Sequence, residues 1–239
     1  MHNRSIGSVA AMVAVIVIVP VTLALAAQQT GGKAQAAATS PDLSGVWFQR
    51  EGSGVGSYGK DPVPMQPWVA EKSKTLRHDV DDPDLRCLPP GVPRVLLSPT
   101  PMEIITTPRR ILILHENDHL FRQIWMDGRK HPDDLEPTWM GHSVGHWDKD
   151  TLVIDTVGLT DKSWLDNEAH LHTDALHVVE RYRRLDHDTL QVSITIEDPK
   201  AYTKPWGGQR VFKLHPDWQI TEQICEDNID YNKSLKEGK

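Results

Sequence analysis

Three histidines, His170, His172 and His177, fall within eight residues, and Glu180 follows three positions later. Imidazole and carboxylate together suit a first-row metal, and a His-x-His pair on a strand presents both rings on one face. Such a motif wants its acid three or four residues after the second His, whereas Glu180 follows His172 by eight. The same spacing describes a polar loop whose histidines hydrogen-bond acidic neighbours such as Asp166 and Asp174, and on that reading no metal is held.

Alternation along Leu176–Arg184 divides the segment into Leu176, Val178, Glu180, Tyr182 and Arg184 on one face and His177, Val179, Arg181 and Arg183 on the other. If the first face points inward, Glu180 is a desolvated acid suited to proton transfer. If the second does, His177 and Arg181 line a pocket that accepts an anion. A third reading is a solvated strand laced by weak cross-strand ion pairs. Asp155 interrupts the apolar run Leu152–Val157, so it either forms a structural ion pair or orients a neighbouring histidine. The acid–base set is therefore Glu180 or His177 as base, Asp155 as the orienting carboxylate, and Arg181 or Lys204 to stabilise an anion.

Eight Trp stand against three Phe and four Tyr. Trp139, Trp164 and Trp206 occur in polar connections, where a flat apolar ring with one donor serves a ligand as well as a core. With His172, Lys204 and Arg129 they form the expected binding set for a small organic molecule. Arg129 belongs to Asp127-Gly128-Arg129-x-His131-Pro132, a turn sequence with several ionisable groups. Gly141-His142-Ser143-Val144-Gly145 has the register of a nucleophile elbow, but it opens a hairpin and lacks the strand-to-helix turn that exposes a hydrolase serine. There is no P-loop, dinucleotide glycine fingerprint or Cys-x-x-Cys, so no cofactor is expected.

The elements that must position these residues are strands. Four hairpins are predicted: Ile111–His115 with His119–Met126, then turns at Asp148-Lys149-Asp150, Asp186-His187-Asp188 and His215-Pro216-Asp217. Leu190, Val192, Ile194 and Ile196 share one face of a strand whose other face is polar. Adding Ser44–Phe48 and Glu103–Thr107 predicts a mainly β fold, an antiparallel meander of about eight to ten strands closing into a barrel to remove its edges. Helix is scarce: Pro67–Arg77 is the best segment, and Asp198 can cap a single turn.

Gly45-Val46-Trp47 resembles the Gly-x-Trp start of lipocalin-like barrels, where the Trp closes the barrel floor. More broadly, the chain resembles a widespread family of exported bacterial proteins of obscure function. The matching segments include Pro137-Thr138-Trp139-x-Gly141, Ser143-Val144-Gly145-x-Trp147 and Asp150-Thr151-Leu152-Val153-Ile154-Asp155-Thr156. They continue with Trp164-Leu165-Asp166, Leu176-His177-Val178-x-Glu180-Arg181 and Asp198-Pro199-x-Ala201-Tyr202-Thr203-Lys204-Pro205-Trp206. His142 and Asn167-Glu168-Ala169 depart from the family pattern. The resemblance implies the fold and export and assigns no catalytic role.

Arg4 precedes an apolar run from Val9 to Ala27 that ends in Ala24-Leu25-Ala26, the layout of a cleaved secretory signal over residues 1–26. An uncleaved anchor is the alternative, since a span needs about 20 apolar residues. Both readings place the protein outside the cytoplasm, in the periplasm or secreted. Residues 27–40 read as a flexible leader, 41–228 as one domain and 229–239 as a polar tail. Loss of residues 1–26 removes Arg4 and no acid, leaving 25 basic residues against 33 acidic ones and a net charge of -8. That balance excludes a nucleic-acid partner. Nothing in the mature domain calls for membrane insertion, and no feature sets an oligomeric state. Cys87 and Cys225 are an even pair in an oxidising compartment and are expected to form a disulfide. Intact-mass measurement of the exported protein is expected to show a chain lacking residues 1–26; a full-length mass would establish the anchor instead.

Overall fold

A computed structural model of the chain describes residues 41–49, 58 and 61–227. The signal segment 1–26, the leader 27–40 and the tail 229–239 lie outside the described residues. Nine strands carry the fold: β1 (Gly45–Gln49), β2 (Met102–Thr106), β3 (Arg110–His115), β4 (Phe121–Trp125), β5 (His142–Asp148), β6 (Thr151–Val157), β7 (His177–Asp186), β8 (Thr189–Glu197) and β9 (Trp206–Leu214). They follow one another around a closed barrel in which β9 returns to pair with β1, so every strand has a neighbour on both sides over at least part of its length.

The hairpins β3–β4, β5–β6 and β7–β8 stand where the alternating runs place them. The fourth expected hairpin does not form. Both edges of β9 are already occupied, by β8 and β1, so the chain beyond His215-Pro216-Asp217 cannot join the sheet; it leaves the barrel with His215 stacked on Trp218 at 3.8 Å. The meander is also not wholly antiparallel. β4 and β5 run parallel and pair only through Ile124 with Ser143 and Trp125 with Val144.

Strand direction sorts the connections. Those after β1, β3, β6 and β8 emerge at one end of the barrel, and this loop end receives Tyr58 and segments 61–101, 116–120, 158–176 and 198–205. Hairpin turns occupy the other end. There Trp47 is fully buried, donates Nε1–H to the Leu43 carbonyl at 2.9 Å and lies 5.3 Å beneath the Arg184 guanidinium. Helix is confined to short pieces, α1 (Pro67–Ser73), with Pro in its first turn, and α2 (His78–Asp81). Asp198 caps a single turn, its Oδ1 accepting from the backbone of Lys200 and Ala201. Cys87 and Cys225 form a disulfide with Cα atoms 5.5 Å apart, tying the β1–β2 connection to the segment after β9.

Period-two alternation sets the interior. Leu190, Val192 and Ile196 are fully buried, and Leu152, Ile154, Val178 and Tyr182 face the same core. Into this core β7 places Glu180 and β4 places Arg122. The Arg122 guanidinium donates to both carboxylate oxygens of Glu180, to Ser143 Oγ at 3.1 Å and to Thr156 Oγ1 at 2.7 Å. Tyr182 OH donates to Glu180 Oε1 at 3.2 Å. A charge pair taken out of water persists only when each donor and lone pair is matched. Glu180 is thus inward, as one reading of the alternation has it, but it is held as a structural carboxylate and not as a base facing a cavity.

Replacing Glu180 with Gln is expected to strand the Arg122 charge in the core and to destabilise the fold by about 3 kcal/mol or more. Chemical denaturation checks this, and pairing Arg122→Met with Glu180→Leu should recover much of the loss.

Candidate functional site

At the loop end, long connections are stitched together by buried polar contacts. Arg94 makes a two-pronged pair with Asp82 at 2.7 and 2.6 Å and also donates to Asn167 Oδ1 at 2.9 Å. Tyr58 OH donates to the Leu165 carbonyl at 2.9 Å, and Tyr202 OH to that of Leu171 at 2.5 Å. Tyr58 can approach the barrel because Trp206, the first residue of β9, is followed by two glycines: a Cβ on Gly208 would lie 1.7 Å from the Tyr58 carbonyl oxygen. Glycine inside a strand commonly marks such an approach.

These segments enclose a cleft of about 580 Å³ walled by Tyr58 and Trp206, with Asp61, Asp166, Glu168, His170 and Lys204 around it. Trp206 is the hub of an aromatic group, 5.9 Å from Tyr58, 5.5 Å from His170 and 5.1 Å from Tyr202. Its Nε1–H is buried and has no hydrogen-bond partner among the described residues. Asp166, fully buried, faces His170 Nδ1 at 2.6 Å and also accepts from the Glu168 backbone at 2.9 Å. With Nδ1–H donated to the carboxylate, the lone pair of His170 sits on Nε2, which has no protein partner among the described residues. Burial, reinforced by Asp166, pushes the Tyr58 and Tyr202 phenols far above their usual range, so both stay neutral. Burial pushes the Arg210 guanidinium, 5.7 Å from the Tyr58 ring, the opposite way.

Comparison with family models finds no match to the chain, and comparison with curated proteins finds none either.

The expected site residues do not form one constellation. Trp206 and Lys204 line the loop-end cleft. Trp139 borders a separate cleft between β4 and β5. Trp164 is buried. His172 is held between Ser163 Oγ at 3.0 Å and the Thr173 carbonyl at 3.2 Å, and burial lowers its pKa. Arg129 lies 3.5 Å over the Trp125 ring and pairs with Asp127. Arg181 points outward to Asp148 at 3.9 Å. The three histidines of the metal alternative are corrected to three separate roles, because each ring is engaged by different neighbours. Among the described residues no group of three His, Cys, Asp or Glu is placed to hold a metal ion.

The Asp166–His170 contact is visible in the sequence as a four-residue spacing. Tyr58, Asp61 and Glu168 gave no signal beyond the glycine pair that admits Tyr58. Arg122 was discoverable, since it shares the inward face of β4 with Ile124.

His177 and Asp155 do meet, but on the outer face of the barrel, on the other side of the wall from Glu180. Asp155 contacts His177 Nε2 and His131 Nε2, each at 2.9 Å; His177 Nδ1 lies 3.3 Å from Glu197, and His131 Nδ1 lies 2.8 Å from His142 Nδ1. Partial burial opposes protonation of His177, yet Asp155 and Glu197 outweigh it and raise its pKa. Burial likewise pushes Asp155 up, but hydrogen bonds from the two histidines win and hold it below the usual carboxylate range.

The His177 contribution is therefore complete below about pH 6.5, the ordinary histidine value, and fades as pH rises through the raised folded value. At the acid end it fades again as Asp155 protonates. For exposed pairs of this kind the effect is about 0.5–1 kcal/mol. Melting temperatures of the wild type and His177→Gln, compared across pH 4 to 9 (about the titration range of these groups), are expected to differ most near pH 5–6 and to converge above about pH 8.

Proposed function

We propose that the protein is an exported β-barrel that binds a small organic molecule in the loop-end cleft, against Trp206 and Tyr58. The observation that carries this reading is the buried Nε1–H of Trp206, without a hydrogen-bond partner among the described residues, beside a cleft of about 580 Å³. A buried donor without an acceptor costs about 1–3 kcal/mol, a cost that an acceptor on a ligand would relieve. Ligand sites combine apolar walls with a few placed polar groups, and Lys204, Glu168 and His170 provide them here. The export signal, the disulfide and the likeness to exported barrels support a place outside the cytoplasm; no helix of the described residues is long and apolar enough to cross a membrane.

Acid–base catalysis in the same cleft is the second reading, favoured by the Asp166–His170 dyad. The buried carboxylate orients the ring and would stabilise it when Nε2 takes a proton from a bound molecule.

A thermal-shift screen of small carboxylated and hydroxylated organics is expected to yield a stabilising ligand. Trp206→Ala should weaken that ligand tenfold or more, or about 1.4 kcal/mol. His170→Gln separates the readings: a binding protein keeps its affinity within a few-fold, whereas an enzyme keeps binding and loses turnover by about a hundredfold or more. A screen in which no compound shifts the melting temperature defeats both.

A further inference from the structure

The barrel has a second opening, in its wall. β5 meets β4 only at Ile124 and Trp125, so Phe121–Gln123 have no strand on that side. The gap is a cleft of about 450 Å³ walled by Leu120, Phe121, Trp125, Trp139 and Met140, with Arg122 and Ser143 also lining it. Its far wall belongs to segment 126–141, which is pinned in place. Thr138 N donates to the Gly158 carbonyl at 3.0 Å, Thr160 N to that of Thr138 at 3.0 Å, and Val92 N to that of Trp139 at 3.3 Å. A Cβ on Gly141 would lie 2.7 Å from the Val157 carbonyl oxygen, so segment and barrel touch backbone to backbone. The cleft is thus pre-formed, and a ligand entering it would order little chain.

Its chemistry selects the occupant. The Arg122 guanidinium is already spent on Glu180, Ser143 and Thr156, and Arg129, stacked over the Trp125 ring, is paired with Asp127, so both guanidinium groups are neutralised within the protein. His142 at the rim has its pKa lowered by burial and by the neighbouring His131 and Arg129, which keeps its ring neutral. The apolar lining is largely aromatic: Phe121 is 66% exposed and Trp125 and Trp139 are half-buried, while His119, Gln123 and Thr138 add polar groups to the wall. An exposed aromatic ring beside two half-buried ones around a fixed cleft marks a binding surface. We propose that the gap between β4 and β5 is a second small-molecule site, distinct from the loop-end cleft, that takes a neutral, flat aromatic molecule between Phe121, Trp125 and Trp139.

The test uses the neutral probe N-phenyl-1-naphthylamine, whose fluorescence rises on transfer from water to an apolar site, titrated into the intact protein. Saturable binding at one equivalent is expected, weakened tenfold or more by Phe121→Glu, which alters an exposed residue, and by Trp139→Ala. Trp206→Phe reports on the loop-end cleft. Absence of probe binding to the wild type overturns the proposal. So does unchanged affinity in both wall variants, or a tenfold loss in Trp206→Phe alone. Sedimentation covers the competing occupant: a wild-type dimer that Phe121→Glu turns into monomer, with probe affinity unchanged, would assign the patch to a second copy of the chain.

Discussion

The organisation of this barrel turns on one buried ion pair. Arg122 and Glu180 come from two different strands of the barrel, β4 and β7, and meet in its buried core. Their desolvation is offset only because Ser143, Thr156 and Tyr182 complete the hydrogen bonding. Apolar side chains tolerate small shifts of register; a bidentate pair with three further partners does not. The network therefore links the positions of β4, β5, β6 and β7 in the interior of the barrel, and the two clefts lie at the loop end and in the wall.

Both openings follow from how strand direction distributes the chain. Because β4 and β5 run parallel, the connection between them must travel back along the barrel, and its return carries Trp139 and Met140 across the gap. The connections after β1, β6 and β8 gather at one end, and their anchors, Asp82 to Arg94 and Tyr58 to Leu165, form a rigid rim. Within it, burial has opposite consequences for different groups. It keeps the tyrosines neutral, while Asp166 holds one nitrogen of His170 and leaves the other without a protein partner among the described residues.

Much of the fold was legible because strand alternation is a local property. Leu190, Val192, Ile194 and Ile196 declare one face of β8 without reference to any other element, and the hairpin turns at Asp148-Lys149-Asp150 and Asp186-His187-Asp188 are short-range signals. The site was less legible. His177 and Glu180 are three residues apart yet lie on opposite sides of the wall, because an odd separation along a strand reverses the face. The cluster of histidines dispersed for a related reason: His170 and His172 lie in a connection where no period constrains direction, and each took a different nearby partner.

The amino-acid sequence alone determined a β-rich, Trp-rich barrel with a cysteine pair suited to bridging, because composition, alternation and turn residues act over a few positions. Tertiary structure decided which carboxylate is structural and which pairs with a histidine beside open space. It also decided that β9 closes on β1 and that the wall parts between β4 and β5. These depend on contacts between residues tens of positions apart, such as Arg122 with Glu180 and Tyr58 with Gly208, whose meeting no local pattern encodes.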